Sequence, residues 1–121
     1  MNKKTTLELL DFILESIEVI KKRMQGIESD DDFLSNDDNL TKLDSILMRL
    51  QAMGEAIKNL DKRERNFLLL VADEAYWSDI IRFRDFISHH YTDILANDVY
   101  DVCTKELDIL KKYTIQLKES L

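Results

Sequence analysis

Eight consecutive residues, Arg84-Asp85-Phe86-Ile87-Ser88-His89-His90-Tyr91, bring together a permanent cation, the chain's only two histidines and a tyrosine. Histidine gives and takes protons near neutral pH without tuning. Arginine presents a planar fork that matches the oxygens of a phosphate or carboxylate. A proton shuttle and a fixed cation on one short segment suit acid–base chemistry on a phosphate ester, with no metal required. The spacing is an arginine, four residues, a histidine, one residue and a tyrosine.

In a helix, Arg84 and His89 are separated by about 140° and roughly 7.5 Å of rise, so they do not share a face. Asp85 and His89 stand at i and i+4 and can touch, which would fix the imidazole tautomer and favour its protonated form. Arg84 and Tyr91 are seven residues apart and fall on nearly the same side. Since one regular helix cannot bring Arg84 and His89 together, two copies about a two-fold axis are the simplest way to gather both types in one cleft.

The elements that must carry this segment are helical. The chain has 121 residues, no proline and only two glycines, Gly26 and Gly54, which leaves little from which to build tight hairpins. That length fits one domain, residues 1–121, able to bury roughly two-thirds of its unfolded surface. Leu10, Ile13, Leu14, Ile17, Ile20 and Met24 recur at helical steps and predict a first helix over about 6–25, which Gly26 stops. Phe12 and Val19 fall on its opposite side, as a second contact surface or as ordinary exposed apolar residues. Leu43, Ile46, Leu47, Leu50, Met53, Ile57 and Leu60 predict a second helix over about 40–60. Gly54 lies within that stripe, where the missing side chain would let a neighbouring helix come close.

Asp61-Lys62-Arg63-Glu64 reads as a charged connection, and the apolar run 67–72 as a short third helix buried on most sides. The motif then lies on a helix over about 73–89, whose core face is Trp77, Ile80, Ile81 and Ile87, with Ala75, Phe83 and Phe86 in supporting places. A last helix covers about 97–117 along Val99, Val102, Cys103, Leu107, Leu110, Tyr113, Thr114 and Leu117. The fold class is therefore all-α, an up-and-down four-helix bundle with an additional short helix.

Charge and composition exclude several functions. A net charge of −7 with 34% charged residues argues against a generic nucleic-acid binder, which normally carries a basic face. It leaves room for a small local cationic site around Arg82 and Arg84. One cysteine, Cys103, makes no internal disulfide and no structural zinc set with two adjacent histidines; it reads as a core residue, as does Trp77, and Met24, Met48 and Met53 read as core or groove filling. The segment 28–38 has six acidic residues and no basic ones. It lacks the glycine and closing glutamate of a calcium loop, so it reads as a solvated loop supplying helix caps. No apolar run is long enough to cross a membrane, and nothing near the N-terminus reads as a signal peptide, so a cytoplasmic protein is expected.

The R-x4-H-x-Y spacing, with three further segments, resembles the HepT-like branch of the HEPN domains. Leu9 to Ile20 is similar to the family's opening helix. Gly54-Glu55-Ala56-Ile57-Lys58-Asn59-Leu60 is similar to a recurrent Gly-Glu-Ala-x-Lys-x-Leu segment, and Trp77-Ser78-Asp79-Ile80-Ile81-Arg82-Phe83-Arg84 to the approach to the family's catalytic arginine. The likeness spans nearly the whole chain. Asp85 stands where the family commonly has asparagine, His90 where it often has aspartate, and the proline that often precedes the tryptophan is absent.

This resemblance implies a small ribonuclease toxin of a type VII toxin–antitoxin pair, partnered by a minimal nucleotidyltransferase antitoxin. It implies a homodimer with a composite RNA site, Arg84 and His89 as catalytic residues, Asp85 and Ser88 in support, and no cofactor or metal. It also implies silencing by adenylylation of Tyr91. The alternative is a non-catalytic HEPN module that binds nucleotide or substrate for a partner nucleotidyltransferase. A bundle used only for protein association would leave the Arg-His-Tyr group unexplained.

Overall fold

The computed structural model describes residues 1–89 and 96–121. Helix α1 covers Lys3–Arg23, and its N-cap Asn2 accepts a hydrogen bond from the Thr5 amide at 3.1 Å. Past its C-terminal end Gly26 takes φ +86°, a left-handed conformation that suits glycine and turns the chain. Helix α2 covers Asp37–Leu68, α3 Glu74–His89, α4 Ala96–Asp101 and α5 Leu107–Glu119. A π-helical stretch, Val102–Glu106, joins α4 to α5, so the last two helices form one rod with a widened turn.

The four rods pack as antiparallel neighbours. Across α1 and α5, Lys21 pairs with Asp108, Lys111 with Glu18 and Lys118 with Asp11, so residue numbers run in opposite directions. Arg49 of α2 lies over the Phe12 ring of α1 at 5.8 Å, and Lys42 donates to the Gln25 carbonyl at 2.8 Å. Arg65 of α2 meets Glu74 at the start of α3 at 3.5 Å. Tyr76 sets its ring edge-on to Trp77 and to Tyr113 of α5, each with centroids 5.0 Å apart. The architecture is the expected all-α, up-and-down bundle.

The apolar stripes lie where helical periodicity puts them. Leu10, Ile13, Ile17 and Ile20 of α1 are buried, as are Leu43, Ile46, Leu50, Met53, Ile57 and Leu60 of α2. Val99, Cys103, Leu107, Leu110, Thr114 and Leu117 line the last rod. Burial pushes the Cys103 thiol up to about 12, which makes it an inert core residue. Phe12 is half-buried against the core beneath Arg49, so this residue of the second α1 face is covered within the chain.

Three expectations change. The predicted third helix over 67–72 is the end of α2, which bends at Glu64 (φ −139°, ψ 49°) and runs on to Leu68. Phe67 and Leu68 turn into the core, but Leu69 and Leu70 are exposed, so the run is not buried on most sides. The buried indole of Trp77 donates to the Leu68 carbonyl at 3.0 Å, satisfying one of the orphan acceptors at the end of α2. Met48, expected in the core or a groove, is 75% exposed. The acidic stretch does supply a cap, with Asn36 accepting from the Asn39 amide at 2.8 Å. It also folds into a 3-10 turn, Asp30–Leu34, whose Phe33 is fully buried.

That last finding is testable. Truncating Phe33 removes a large buried ring from a segment with few other apolar contacts. Phe33→Ala should lower unfolding stability by about 3–5 kcal/mol, measured by urea titration. A loss under about 1 kcal/mol would mean that the acidic segment is only loosely attached.

Candidate functional site

Asp73 begins the motif helix, its carboxylate accepting from the Tyr76 amide at 2.9 Å, an N-cap contact. From there α3 continues unbroken to His89, so the helical offset between Arg84 and His89 holds in the structure. Arg84 is turned towards α2, with its side chain 19% exposed. His89 is exposed at the C-terminal end. Ala75, Asp79, Arg82, Phe86 and His89, at alternating four- and three-residue steps, form the exposed stripe of α3. The two residues with the chemistry for phosphate-ester cleavage thus stand on different sides of one helix.

Arg84 reaches its position because of Gly54. A Cβ built on Gly54 would lie 2.5 Å from the Arg84 Cβ and 2.7 Å from its Cγ, far inside van der Waals contact. The absent side chain allows α2 and α3 to meet here, as the glycine within the apolar stripe led us to expect. Beyond that contact the guanidinium pairs with Glu55 of α2, and its Nη1 donates to Asp85 at 2.9 Å. The Arg84 Nε is buried and has no partner among the described residues.

Asp85 faces Arg84 and Lys58, not His89. Lys58 donates to the same Asp85 oxygen at 3.1 Å. Those hydrogen bonds, from Arg84 first and Lys58 second, hold the Asp85 carboxyl below its ordinary range. The contact with His89 that the i, i+4 spacing allowed is replaced by two full cations, which outcompete a histidine for one exposed carboxylate. Ser88 accepts from the Gln51 side-chain amide at 3.0 Å, a further tie between α2 and α3. Arg82, read from sequence as part of a small local cationic site, pairs with Asp79 on its own helix. Tyr91 and His90 lie outside the described residues.

Sequence reasoning missed Glu55, Lys58 and Gln51 as parts of the site. Glu55 and Lys58 do belong to the Gly-Glu-Ala-x-Lys-x-Leu segment, which carried the resemblance without a role. Beside them, α3 and the last rod splay to leave an apolar cleft of about 280 Å3, lined by Met53, Ile80, Phe83, Val102 and Leu107. Among the described residues, no three His, Cys, Asp or Glu side chains are grouped to hold a metal ion.

An all-helical bundle with an arginine and a histidine five residues apart on its third long helix is the framework of a HEPN-type protein. The chain belongs to the Ribonuclease HepT-like family, whose model matches residues 13–117, and that membership supports ribonuclease activity. It is also 29% identical over 112 residues to a Methanocaldococcus jannaschii protein named "Gamma-glutamylcyclotransferase and putative RNase". The match covers 93% of this chain and 47% of the relative, so the chain spans about half that protein's length. No solved structure gives a significant match.

The Gly54 contact makes a direct prediction. Alanine is the better helix former by about 1 kcal/mol, yet here its methyl must displace the Arg84 stem. Gly54→Ala should destabilise the protein by about 1–3 kcal/mol through overpacking, measured by denaturant unfolding. An increase in stability would show that α2 and α3 are free to separate at this point.

Proposed function

We propose that this chain is a metal-independent endoribonuclease toxin that cuts RNA at a site shared by two copies and is neutralised by a minimal nucleotidyltransferase antitoxin. The observation that carries the reading is the division of labour on α3: Arg84 held against α2, and His89 exposed on the outer stripe. Cleavage through the ribose 2′-OH needs a base to take its proton and an acid to protonate the leaving 5′ oxygen. One His89 serves one of these roles at a time, and a two-fold pair supplies two. Arg84 would stabilise the extra negative charge of the pentacoordinate phosphate. Exposed Arg82, Phe86 and His89 on one stripe are suitably placed for an α3-centred contact between copies.

The test is cleavage of RNA by the purified chain. Removing one charge-stabilising or proton-transferring group costs roughly 10²–10³-fold in rate, so Arg84→Ala and His89→Ala should each lose at least about 100-fold. His89 is exposed, so its substitution should leave stability within about 0.5 kcal/mol. Arg84→Ala loses exposed ion pairs and stem packing but should remain folded. EDTA should leave the rate unchanged, and a 2′-deoxy nucleotide at the scissile position should stop cleavage. Wild-type activity abolished by EDTA would end the metal-free mechanism.

Neutralisation is proposed to occur by transfer of AMP to Tyr91. The added phosphodiester carries negative charge and bulk close in sequence to Arg84, the cation that RNA phosphate would use. Incubation with the partner nucleotidyltransferase and ATP should add one AMP mass to the peptide containing Tyr91. Full neutralisation without that adduct would assign the antitoxin's effect to contact alone.

One observation favours the second reading, a non-catalytic module serving a nucleotidyltransferase: the Arg84 guanidinium already holds two carboxylates. On that reading, the wild-type chain would not cleave RNA, and substituting Arg84 would change only what the partner nucleotidyltransferase binds.

A further inference from the structure

We propose that Glu55 is an exchangeable internal anion, occupying on Arg84 the place that an RNA phosphate takes and leaving when RNA binds. The proposal rests on the reading of Arg84 as the phosphate-binding cation, and it accounts for the carboxylates found there. The local set comprises two cations, Arg84 and Lys58, and two carboxylates, Glu55 and Asp85. With the charges balanced, the cluster offers no net attraction to a phosphodiester, and the chain as a whole is at −7. For Arg84 to hold a phosphate, one carboxylate must withdraw.

The structure distinguishes the two. Asp85 is adjacent to Arg84 on the same helix, receives hydrogen bonds from both Arg84 and Lys58, and has a side chain 38% exposed. Among the described residues Glu55 pairs with Arg84 alone, and its side chain is 57% exposed. It comes from the facing helix on a longer, more flexible stem. Rotating Glu55 into water breaks one ion pair, whereas removing Asp85 breaks two. Carboxylate and phosphate oxygens match the same guanidinium fork, so a backbone phosphate can take over the Glu55 contact while Asp85, Lys58 and Gly54 keep the arginine in place. Glu55 would then set how tightly RNA is held, without touching the reacting atoms.

The probe is a single-stranded 2′-O-methyl RNA oligonucleotide, which binds but cannot be cleaved through its 2′ oxygen, read by fluorescence anisotropy with the full chain. The matched 2′-hydroxyl RNA reports cleavage. Glu55→Gln keeps the shape and removes the charge. Removing the exposed ion pair that a phosphate must otherwise displace should tighten binding about fivefold. KM should fall in step while kcat stays within about twofold. In an Arg84→Gln background the gain should vanish, because no guanidinium remains to be freed. Glu55→Ser, also neutral but smaller, should behave like Glu55→Gln and guards against an effect peculiar to the amide.

Unchanged or weaker binding by both Glu55 variants, or a fall in kcat alone, would overturn the exchange and leave Glu55 as a strut for Arg84. A gain that persists without Arg84 would also overturn it, as a general charge effect. Tighter binding with no cleavage by any form would sustain the exchange and remove the ribonuclease reading. Arg84-dependent cleavage by wild type without any gain in the Glu55 variants would do the reverse.

Discussion

Where α3 meets α2, the stem of Arg84 lies against Gly54 with no side chain between them, and the motif's electrostatics follow from that approach. A Cβ at this point would lie 2.5 Å from that of Arg84, so any larger residue pushes the helices apart. At this distance Glu55 and Lys58 reach across from α2 to Arg84 and Asp85. The close fit has a cost, because the Arg84 Nε is buried with no partner among the described residues, a defect of about 1–3 kcal/mol. A residue kept at such a cost is held for its position, and on the proposed reading position is what a phosphate-binding cation needs.

Helical periodicity made the long rods legible because each rod buries a continuous stripe. Leu10 to Ile20 and Leu43 to Leu60 fall on the core side as their spacing requires. Gly54 was legible for the same reason: a glycine inside an otherwise apolar stripe has few uses except close approach. Phe33 was not, since two adjacent apolar residues, Phe33 and Leu34, among six acidic ones have no period, and which of them is buried depends on segments far away in sequence. The bend at Glu64 was misread as a break because a charged run resembles a loop, although the helix carries on to Leu68. The π stretch at Val102–Glu106 leaves the stripe nearly intact and so has no clear signature in spacing.

The site divides along the same line. That Arg84 and His89 stand on different sides follows from five residues at 100° each, and the unbroken α3 keeps it so. The choice made by Asp85 could not be read this way. Its i+4 neighbour His89 is a local candidate, but Lys58 and Arg84 are permanent cations, and Lys58 is brought in by the register of α2 on α3. Register between helices is set by the whole interface, of which Gly54 is one point. The ion pairs were therefore hidden even though each residue in them was already in view.

The choice of arginine at position 84 ties fold and proposed chemistry together. A lysine ammonium is a point charge, and holding it between carboxylates on two helices would leave little definite direction. The guanidinium is a rigid fork, so pairing Nη1 with Asp85 and Nη2 with Glu55 fixes its plane as well as its place. An Arg84 oriented in this way is preorganised before any phosphate arrives, and exchanging one carboxylate for a phosphate oxygen alters the partner without rebuilding the site. His89, exposed and one and a half turns further on, has none of this support among the described residues. On the proposed reading a second copy docked against the outer stripe of α3 supplies that support and acts as the other wall of the site.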